Sequence, residues 1–466
     1  MKKLSYIAMF LMLPVLSLTM SAASAEQTVS LGDAVRLALE RSHYLRAAES
    51  QVRGLEQDVS IARSQGLPSV MLEESMTRTD IPAYVFSSKI NQERMTGMDM
   101  TKAPASFNEP NPLTNFRTAL SVEQQLFAPR TGVKTDMART EVEASRLRLR
   151  RTREDVVFNV VAAYIEVQKA LAAGTAVEAG LREAEEHLRV AKVREDAGIG
   201  ARADVLRAGV ALAGMQSKKV RIGNDLKIAR ARLALAMGGE AGEEVGVQDD
   251  GLALLAPQDA AELVGKAMDA RNDLKDIEKR LDNTKNLERL ARADYLPTLS
   301  LSGSYQLDDR DIPFGSDGQH WMVGATLRWE AFDGFRRRAE MAKAHEARTM
   351  LREHLEAYRK EVAFRVNEAW LRMTDADQRM EIADKAMAEA EEGNRLVAKR
   401  FENSLTTMAD LLDAQASLDE ARATRVQAEK DRSLAIATVW YSAGLLMGQL
   451  NVAIPESSPG RGAYEK

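Results

Sequence analysis

A mainly helical fold that also carries short pairs of membrane-type β-strands, with the whole plan laid out twice, is what the 466 residues predict. Three observations point there. The composition is poor in aromatics (5%) and proline (12 residues), while Ala, Leu, Glu, Arg and Lys recur throughout, as in long helices. Phrases repeat in the same order, at a constant offset of 206 positions from Val156 onward, and four segments alternate apolar and polar residues with period two.

The chain starts "MKKLSYIAMFLMLPVLSLTMSAASA", a basic start (Lys2, Lys3), an apolar run and small residues Ala23 and Ala25 at A-x-A spacing. This is the pattern of a secretory leader, residues 1–25, cleaved before Glu26. A retained anchor fits less well, because the apolar run is short and the cleavage pattern follows it directly. There is no cysteine, so neither a disulfide framework nor a lipid on an N-terminal cysteine is available. Losing two lysines moves the formal charge from −5 to −5 − 2 = −7, which argues against a nucleic-acid partner. Beyond residue 25 no run approaches the roughly 20 apolar residues of a spanning helix, so any membrane crossing would use strands.

The duplication orders the rest. "LGDAVRLALERSHYL" resembles "DAAELVGKAMDARNDL", "ARSQGLPSVML" matches "ARADYLPTLSL", and "VVFNVVAAYIEV" matches "VAFRVNEAWLRM". Residues 26–245 and 246–450 are thus expected to be two repeats, followed by a disordered tail, 451–466.

Val156, Val160, Ala163, Tyr164 and Val167 recur at the spacing of one helix face, and Val362, Val366, Ala369, Trp370 and Met373 repeat it. No proline interrupts residues 131–256 or 314–454. The helical stretches near 133–197 and 336–403 would each reach roughly 100 Å at 1.5 Å per residue. Rods of that length need neighbouring rods, so a coiled-coil bundle or cylinder is expected.

The strands behave differently. In "LPTLSLSGSYQL" Leu299, Leu301, Gly303, Tyr305 and Leu307 share one face; in "WMVGATLRWEAF" Trp321, Val323, Ala325, Leu327 and Trp329 do. Aromatic-ended alternation is the signature of a membrane barrel strand. "FRTALSVEQQLF" follows it, but in "SVMLEESMT" Glu74 falls on the face of Val70 and Leu72. A soluble hairpin with one wet face would explain any single strand; two matching pairs make that reading weaker. The inserts near 80–114 and 309–319 are expected to be surface loops. Single-chain outer-membrane barrels have at least eight strands, so a chain with four must share a barrel with copies: two for eight, or three for twelve.

The duplicated strand entries "LPSVML"/"LPTLSL", the exits "LFAPRTG"/"AFDGFRR" and the phrases "REDAGIGARADVLRA"/"RFENSLTTMADLLDA" resemble the outer-membrane efflux protein family, the TolC-like channel-tunnels, over nearly the whole mature chain. The resemblance implies a homotrimer with a twelve-stranded β-barrel in the outer membrane of a Gram-negative bacterium, continued by a long coiled-coil α-helical tunnel in the periplasm. It also implies a passive conduit working with a periplasmic adaptor (membrane fusion) protein and an inner-membrane transporter, for efflux or type I secretion. No cofactor is called for.

Residues 194–208 and 400–414 are then the hairpin tips. Gly198 suits the left-handed position that ends a helix; its counterpart is Ser404. Thr407 to Asp410 fits a capping box, which explains Asp410 but not Asp413. Asp410, Asp413, Ser417 and Glu420 form one polar stripe, opposite Met408, Leu411, Leu412 and Leu418. By resemblance Asp410, Asp413 and Asp204 match the family's aperture acids, and a ring of carboxylates at a constriction favours cations. The closed-state arginine of some relatives is replaced by Thr406, with Arg202 or Arg207 as possible salt-bridge partners. Adaptor docking maps to Gly198, Ile199 and Gly200 in one tip and to Leu405 and Thr406 in the other; turn formation is their plainer role.

Other signals carry less. "GIGARA" satisfies G-x-G-x-x-A but sits between two helices rather than after a strand. His43, His187, His320, His345 and His354 lack metal-ligand spacing, and no nucleophile or phosphate-loop motif occurs, so no enzyme is expected. Met95, Met98 and Met100 could suit a soft ion, but loop filler is the favoured reading. The rival function is a periplasmic coiled-coil scaffold or adaptor without a pore.

Overall fold

The computed structural model describes residues 27–101, 108–240, 245–248 and 254–450. The leader 1–25 and the tail 451–466 lie outside the described residues, as do the side chains of Met98 and Met100. In chain order the elements are β1 (Gln27–Val29), α1 (Leu31–Arg41), α2 (His43–Ser64), β2 (Ser69–Thr79), α3 (Pro82–Asn91), α4 (Gly97–Met100) and β3 (Leu113–Phe127). Then come α5 (Pro129–Asp196), α6 (Arg202–Ala236), β4 (Val245–Val247), α7 (Ala260–Ala270) and α8 (Asn272–Ala293). The last five are β5 (Thr298–Asp309), β6 (Gly318–Arg328), α9 (Arg336–Glu402), α10 (Met408–Ser442) and α11 (Leu446–Gln449).

The duplication holds to within one residue in the lengths of these helices. α1 and α7 have 11 residues each, α2 and α8 have 22, α6 and α10 have 35, and α5 and α9 have 68 and 67. Local signals set several ends. Ser30, Ser42 and Asp259 accept backbone N–H bonds from Asp33, Leu45 and Ala261, capping α1, α2 and α7.

The main core lies midway along the long helices, where α1 and α7 pack beside α5 and α9. Val156, Val160, Tyr164 and Val167 are buried as their spacing predicts, and so are Val362, Val366, Ala369 and Met373. Val157, Val161 and Ile165 are buried too, because α5 touches α1, α2, α6, α8 and α10 and so has more than one inner face. This corrects the sequence reading in one respect. An 18-residue window of α5 reaches mean hydropathy 1.4, enough for a membrane span by length and composition. The helix's buried side chains in this core account for such apolarity.

The Tyr164 hydroxyl ties the core to the β1–β4 pair, donating to the carbonyls of Gln248 (2.9 Å) and Val29 (3.2 Å). At the α7–α8 junction Arg271, 2% exposed, donates to the Ser442 carbonyl at 2.7 Å and pairs with Asp273, whose carboxylate also accepts from the Tyr358 hydroxyl. The end of α10 is thereby fixed to the start of α8.

β2, β3, β5 and β6 form one antiparallel sheet in the order β2-β3-β5-β6. Partners in register share a face. Val70, Leu72 and Met76 of β2 therefore sit with Phe116, Leu120 and Val122 of β3, with Leu301, Tyr305 and Leu307 of β5, and with Trp321, Val323 and Leu327 of β6. The other face carries Glu73, Arg117, Ser121, Glu123, Ser302, Gln306, Asp308 and His320. Glu74 is an acid within the apolar face, and it accepts a hydrogen bond from the Thr118 hydroxyl across the strand pair.

The insert near 80–114 was expected to form a surface loop. Instead α3 packs against β3 and β6, and Gln92 just beyond it is buried. The reason is polar satisfaction: the Gln92 amide finds acceptors in Thr114 and Asn115 that a detached loop would lack.

Candidate periplasmic aperture and hairpin tips

α5 turns into α6, and α9 into α10, by the same backbone device. Gly198 adopts φ +75° and Ser404 φ +60°. The N–H groups of Ile199 and Leu405 return to the carbonyls of Arg194 (3.0 Å) and Arg400 (2.8 Å), satisfying groups the helices leave open. Ser404 thus makes the same turn as the glycine, at a left-handed cost of roughly 1–2 kcal/mol. Gly200 is required for another reason: a Cβ there would lie 2.9 Å from the Arg194 backbone. Gly200→Ala should therefore loosen the first tip, whereas Ser404→Gly should firm the second by about 1 kcal/mol. Hydrogen exchange at the tip amides measures both, and equal protection in all three proteins would contradict it.

The two helix starts differ. α6 begins at Ala201 with no side-chain cap, whereas Thr407 and Asp410 form a complete capping box on α10. Asp410 Oδ2 accepts from the Thr406 hydroxyl (2.7 Å), the Thr407 hydroxyl (2.7 Å) and the Thr407 N–H (3.0 Å). The Thr406 hydroxyl and then Thr407 hold its carboxyl down at about 2. The folded value lies below the unfolded one, so the cap's contribution is complete above about 3.8 and is lost as pH falls toward 2.

Asp410, Asp413, Ser417 and Glu420 are all exposed on one stripe of α10, while Met408, Leu411 and Leu418 are buried and Leu412 is half-buried. Asp204 is half-buried near the start of α6, 3.9 Å from Arg207. Arg202 pairs instead with Glu195 at 3.2 Å. Both ion pairs are largely solvated and contribute little stability. Ile199 and Leu405 occupy equivalent places (405 − 199 = 206) and are 70% and 68% exposed, while Gly198, Gly200 and Thr406 shape the turns around them.

Within the chain the tips share a small core of Ala191, Val205, Ala208, Phe401, Met408 and Leu411. Burying Phe401 there contributes about 1.5–3 kcal/mol. Arg194 crosses from one tip to the other, its guanidinium 4.8 Å from the Phe401 ring and donating to the Ser404 hydroxyl at 3.1 Å. Sequence reading passed over Arg194, since its partners lie 207 and 210 positions away. Farther from the tips, Arg422 of α10 makes a bidentate pair with Glu183 of α5 (2.7 and 3.1 Å), and Gln415 donates to Glu183 and Asp419. Burial pushes the Asp419 carboxyl up. Gly180 leaves the room this cluster needs, since a Cβ would meet Asp419 at 2.8 Å. Among the described residues no three His, Asp or Glu side chains are grouped to hold a metal ion.

Known proteins share this architecture. The family profile for outer membrane efflux proteins matches residues 34–239 and 263–444. The outer membrane efflux protein BepC of Brucella suis biovar 1 (strain 1330) is 22% identical over 451 residues, covering 95% of this chain and 92% of that one. The Campylobacter jejuni CmeC outer membrane channel superposes with a TM-score of 0.73 at 16% identity, over 89% of this chain and 86% of that one. The open state of the Neisseria gonorrhoeae MtrE outer membrane channel gives 0.71 at 19%, over 89% of both. The chain belongs to the outer membrane efflux protein family, the outer-membrane channels of export systems, located in the outer membrane and spanning into the periplasm.

Proposed function

We propose that three copies close a twelve-stranded barrel and a continuous helical tunnel, a passive conduit that an inner-membrane transporter feeds through a periplasmic adaptor. The observation that carries this reading is the open sheet. Its apolar face and its two unpartnered edges, β2 and β6, would be exposed on a lone chain. Such edges invite pairing, and in lipid every strand must be paired. Two copies would make an eight-stranded barrel, whose interior side chains fill; three leave a bore. The apolar face then meets lipid and the face of Arg117, Ser121 and Asp308 lines the channel.

In this assembly the leader 1–25 is removed, and 26–245 and 246–450 act as the two repeats. Asp410 and Asp413 ring the periplasmic aperture, with Asp204 beside them. Arg207 occupies the place in the first repeat that Asp413 holds in the second (413 − 207 = 206). A ring of three chains thus alternates these three acids with three bases, and Arg207, whose contact with Asp204 is long at 3.9 Å, is the closing partner rather than Arg202, held by Glu195 at 3.2 Å. Ile199 and Leu405, with Gly198, Gly200 and Thr406, form the adaptor seat.

Replacing Ile199 and Leu405 together with lysine should leave bilayer current intact while weakening capture of the cognate adaptor at least about tenfold, as for exposed apolar anchors. A protein that partitions with soluble periplasm and passes no current would defeat the channel reading. Unchanged adaptor capture would defeat only the seat.

A further inference from the structure

We infer that Asn224 of one copy and Gln378 of the partner subunit form a buried amide pair in the seam between neighbouring chains, where α6 of one lies antiparallel against α9 of the next. The inference rests on the three-copy reading above and names the helical surfaces that meet.

Within one chain the long helices follow one another in the order α6, α5, α10, α9: α5 packs on α6 and α10, and α10 on α5 and α9. α6 and α9 therefore stand at the two ends, as β2 and β6 do in the sheet. β6 is followed directly by α9, so a seam that closes the barrel at β6 continues along that helix.

Each end helix carries an unpartnered row. On α6, Leu206, Val210, Val220, Ile228 and Leu235 are exposed on the face opposite the buried Val205, Ala208, Met215 and Leu233. Ser217 and Asn224 fill places in the same row, which steps by three or four residues as a coiled-coil seam does. On α9, Phe364, Leu371, Ile382 and Leu396 are exposed opposite the buried Val366, Met373 and Ala383. Val220 and Ile382 are 68% and 66% exposed, and no neighbour within the chain covers them.

The rows match in height. Counted from the tip ends Arg202 and Glu402, Leu206 and Leu396 stand 4 and 6 residues up, Val220 and Ile382 18 and 20, and Ala231 and Leu371 29 and 31. The offset is the same two residues each time, about 3 Å at 1.5 Å per residue, so a single antiparallel alignment joins them all. Asn224 and Gln378 fall into it at 22 and 24 (224 − 202 and 402 − 378). Sliding α9 by one turn would instead set Asn224 against Ile382, or Gln378 against Val220. At the levels of Lys385 and Glu389 the α6 row offers only Ser217 and Ala213, small enough to let both charges reach the rim.

Neither amide has a hydrogen bond within the chain among the described residues, and both are exposed. An asparagine inside a helix is a poorer helix former than alanine or leucine, so Asn224 has no local reason to be there. Facing Gln378 of the partner subunit, each amide can donate to the other's carbonyl. A lone polar layer of this kind disfavours other alignments, which would bury both amides unpaired. Charge agrees with the pairing: from 218 to 232 α6 has six Lys and Arg against Asp225, and from 375 to 392 α9 has seven Asp and Glu against Arg379 and Lys385.

The chain has no cysteine, so paired thiols report on the seam directly. In native outer membranes, mild oxidation of Val220→Cys with Ile382→Cys should link copies into covalent pairs and closed sets of three, since a disulfide needs Cα atoms within about 7 Å. Val220→Cys with Leu371→Cys, 11 residues away (382 − 371), should stay unlinked. A bond inside one chain is excluded, because α5 and α10 separate α6 from α9. Asn224→Leu and Gln378→Leu should each cut the oligomer that survives heating to the wild-type half-dissociation temperature roughly fivefold, and the two together should recover most of it. Cross-linking of Val220→Cys with Ile382→Cys alongside a double leucine variant no better than the worse single one would overturn the amide pair. Absence of that cross-link in a particle that still holds three chains would overturn the seam as well, and leave the three-copy reading standing. A particle of one chain would remove that reading itself.

Discussion

Val323→Arg should abolish the folded, membrane-inserted assembly, whereas Met322→Arg, one residue away, should leave it intact. Both side chains are exposed in the single chain, 65% and 62%, so exposure alone does not separate them. Register does. Val323 lies opposite Gly303 on the apolar face, and Met322 opposite Ser304 on the polar one. An arginine at the bilayer midplane costs about 2–4 kcal/mol in a barrel strand, and Val323 is the middle residue of β6. Three copies in one barrel bring the total to about 6–12 kcal/mol, comparable with the whole net stability of a folded domain. At residue 322 the guanidinium would stand in water-filled bore and cost little. The yield of heat-modifiable oligomer in the outer-membrane fraction measures the difference; equal loss in both variants would mean that the faces are assigned wrongly.

Asp413→Asn, and more strongly Asp410→Asn with Asp413→Asn, should reduce cation preference and multivalent-cation block in a planar bilayer. Removing one carboxylate near a narrow point forfeits about 1–2 kcal/mol of attraction for a cation, or roughly 5- to 30-fold in preference. Asp413 isolates the charge effect, because Asp410 also belongs to the capping box that starts α10. The wild-type preference owed to Asp410 should persist as pH falls through the ordinary aspartate range, since its carboxyl is held at about 2. Unaltered selectivity in the double variant would remove both residues from the narrow point.

Much of the fold was legible because it is local and written twice. Proline-free stretches, the matched tip phrases and the period-two faces each rest on residues close in sequence, and the strands pair as their alternation implies. The apolar excess of α5 was underestimated because a helix enclosed by several others carries more apolar faces than one stripe accounts for. Ser404, the counterpart of Gly198, takes the same left-handed turn, with the capping box behind it stabilising the start of α10.

What stayed hidden was long-range polar pairing. Gln92 reads as one more loop residue until Asn115 and Asp309 stand beside it, and Glu183 with Arg422 as solvated charges until α5 meets α10 across 239 positions. Arg194 is similar: it sits inside a quoted tip phrase, but only the packed tips bring it to Phe401 and Ser404. Periodicity reports which face is buried and carries no information on which polar group waits there. The partner of Arg207 in the closed aperture would come from a neighbouring chain, beyond what one sequence pattern encodes.

The number of chains in the detergent-solubilised particle tests the central claim most directly, because a four-stranded sheet with two bare edges closes only in company. Native mass spectrometry should give three times the mass of the mature chain. A stable single chain, or a pair, would contradict the shared twelve-stranded wall.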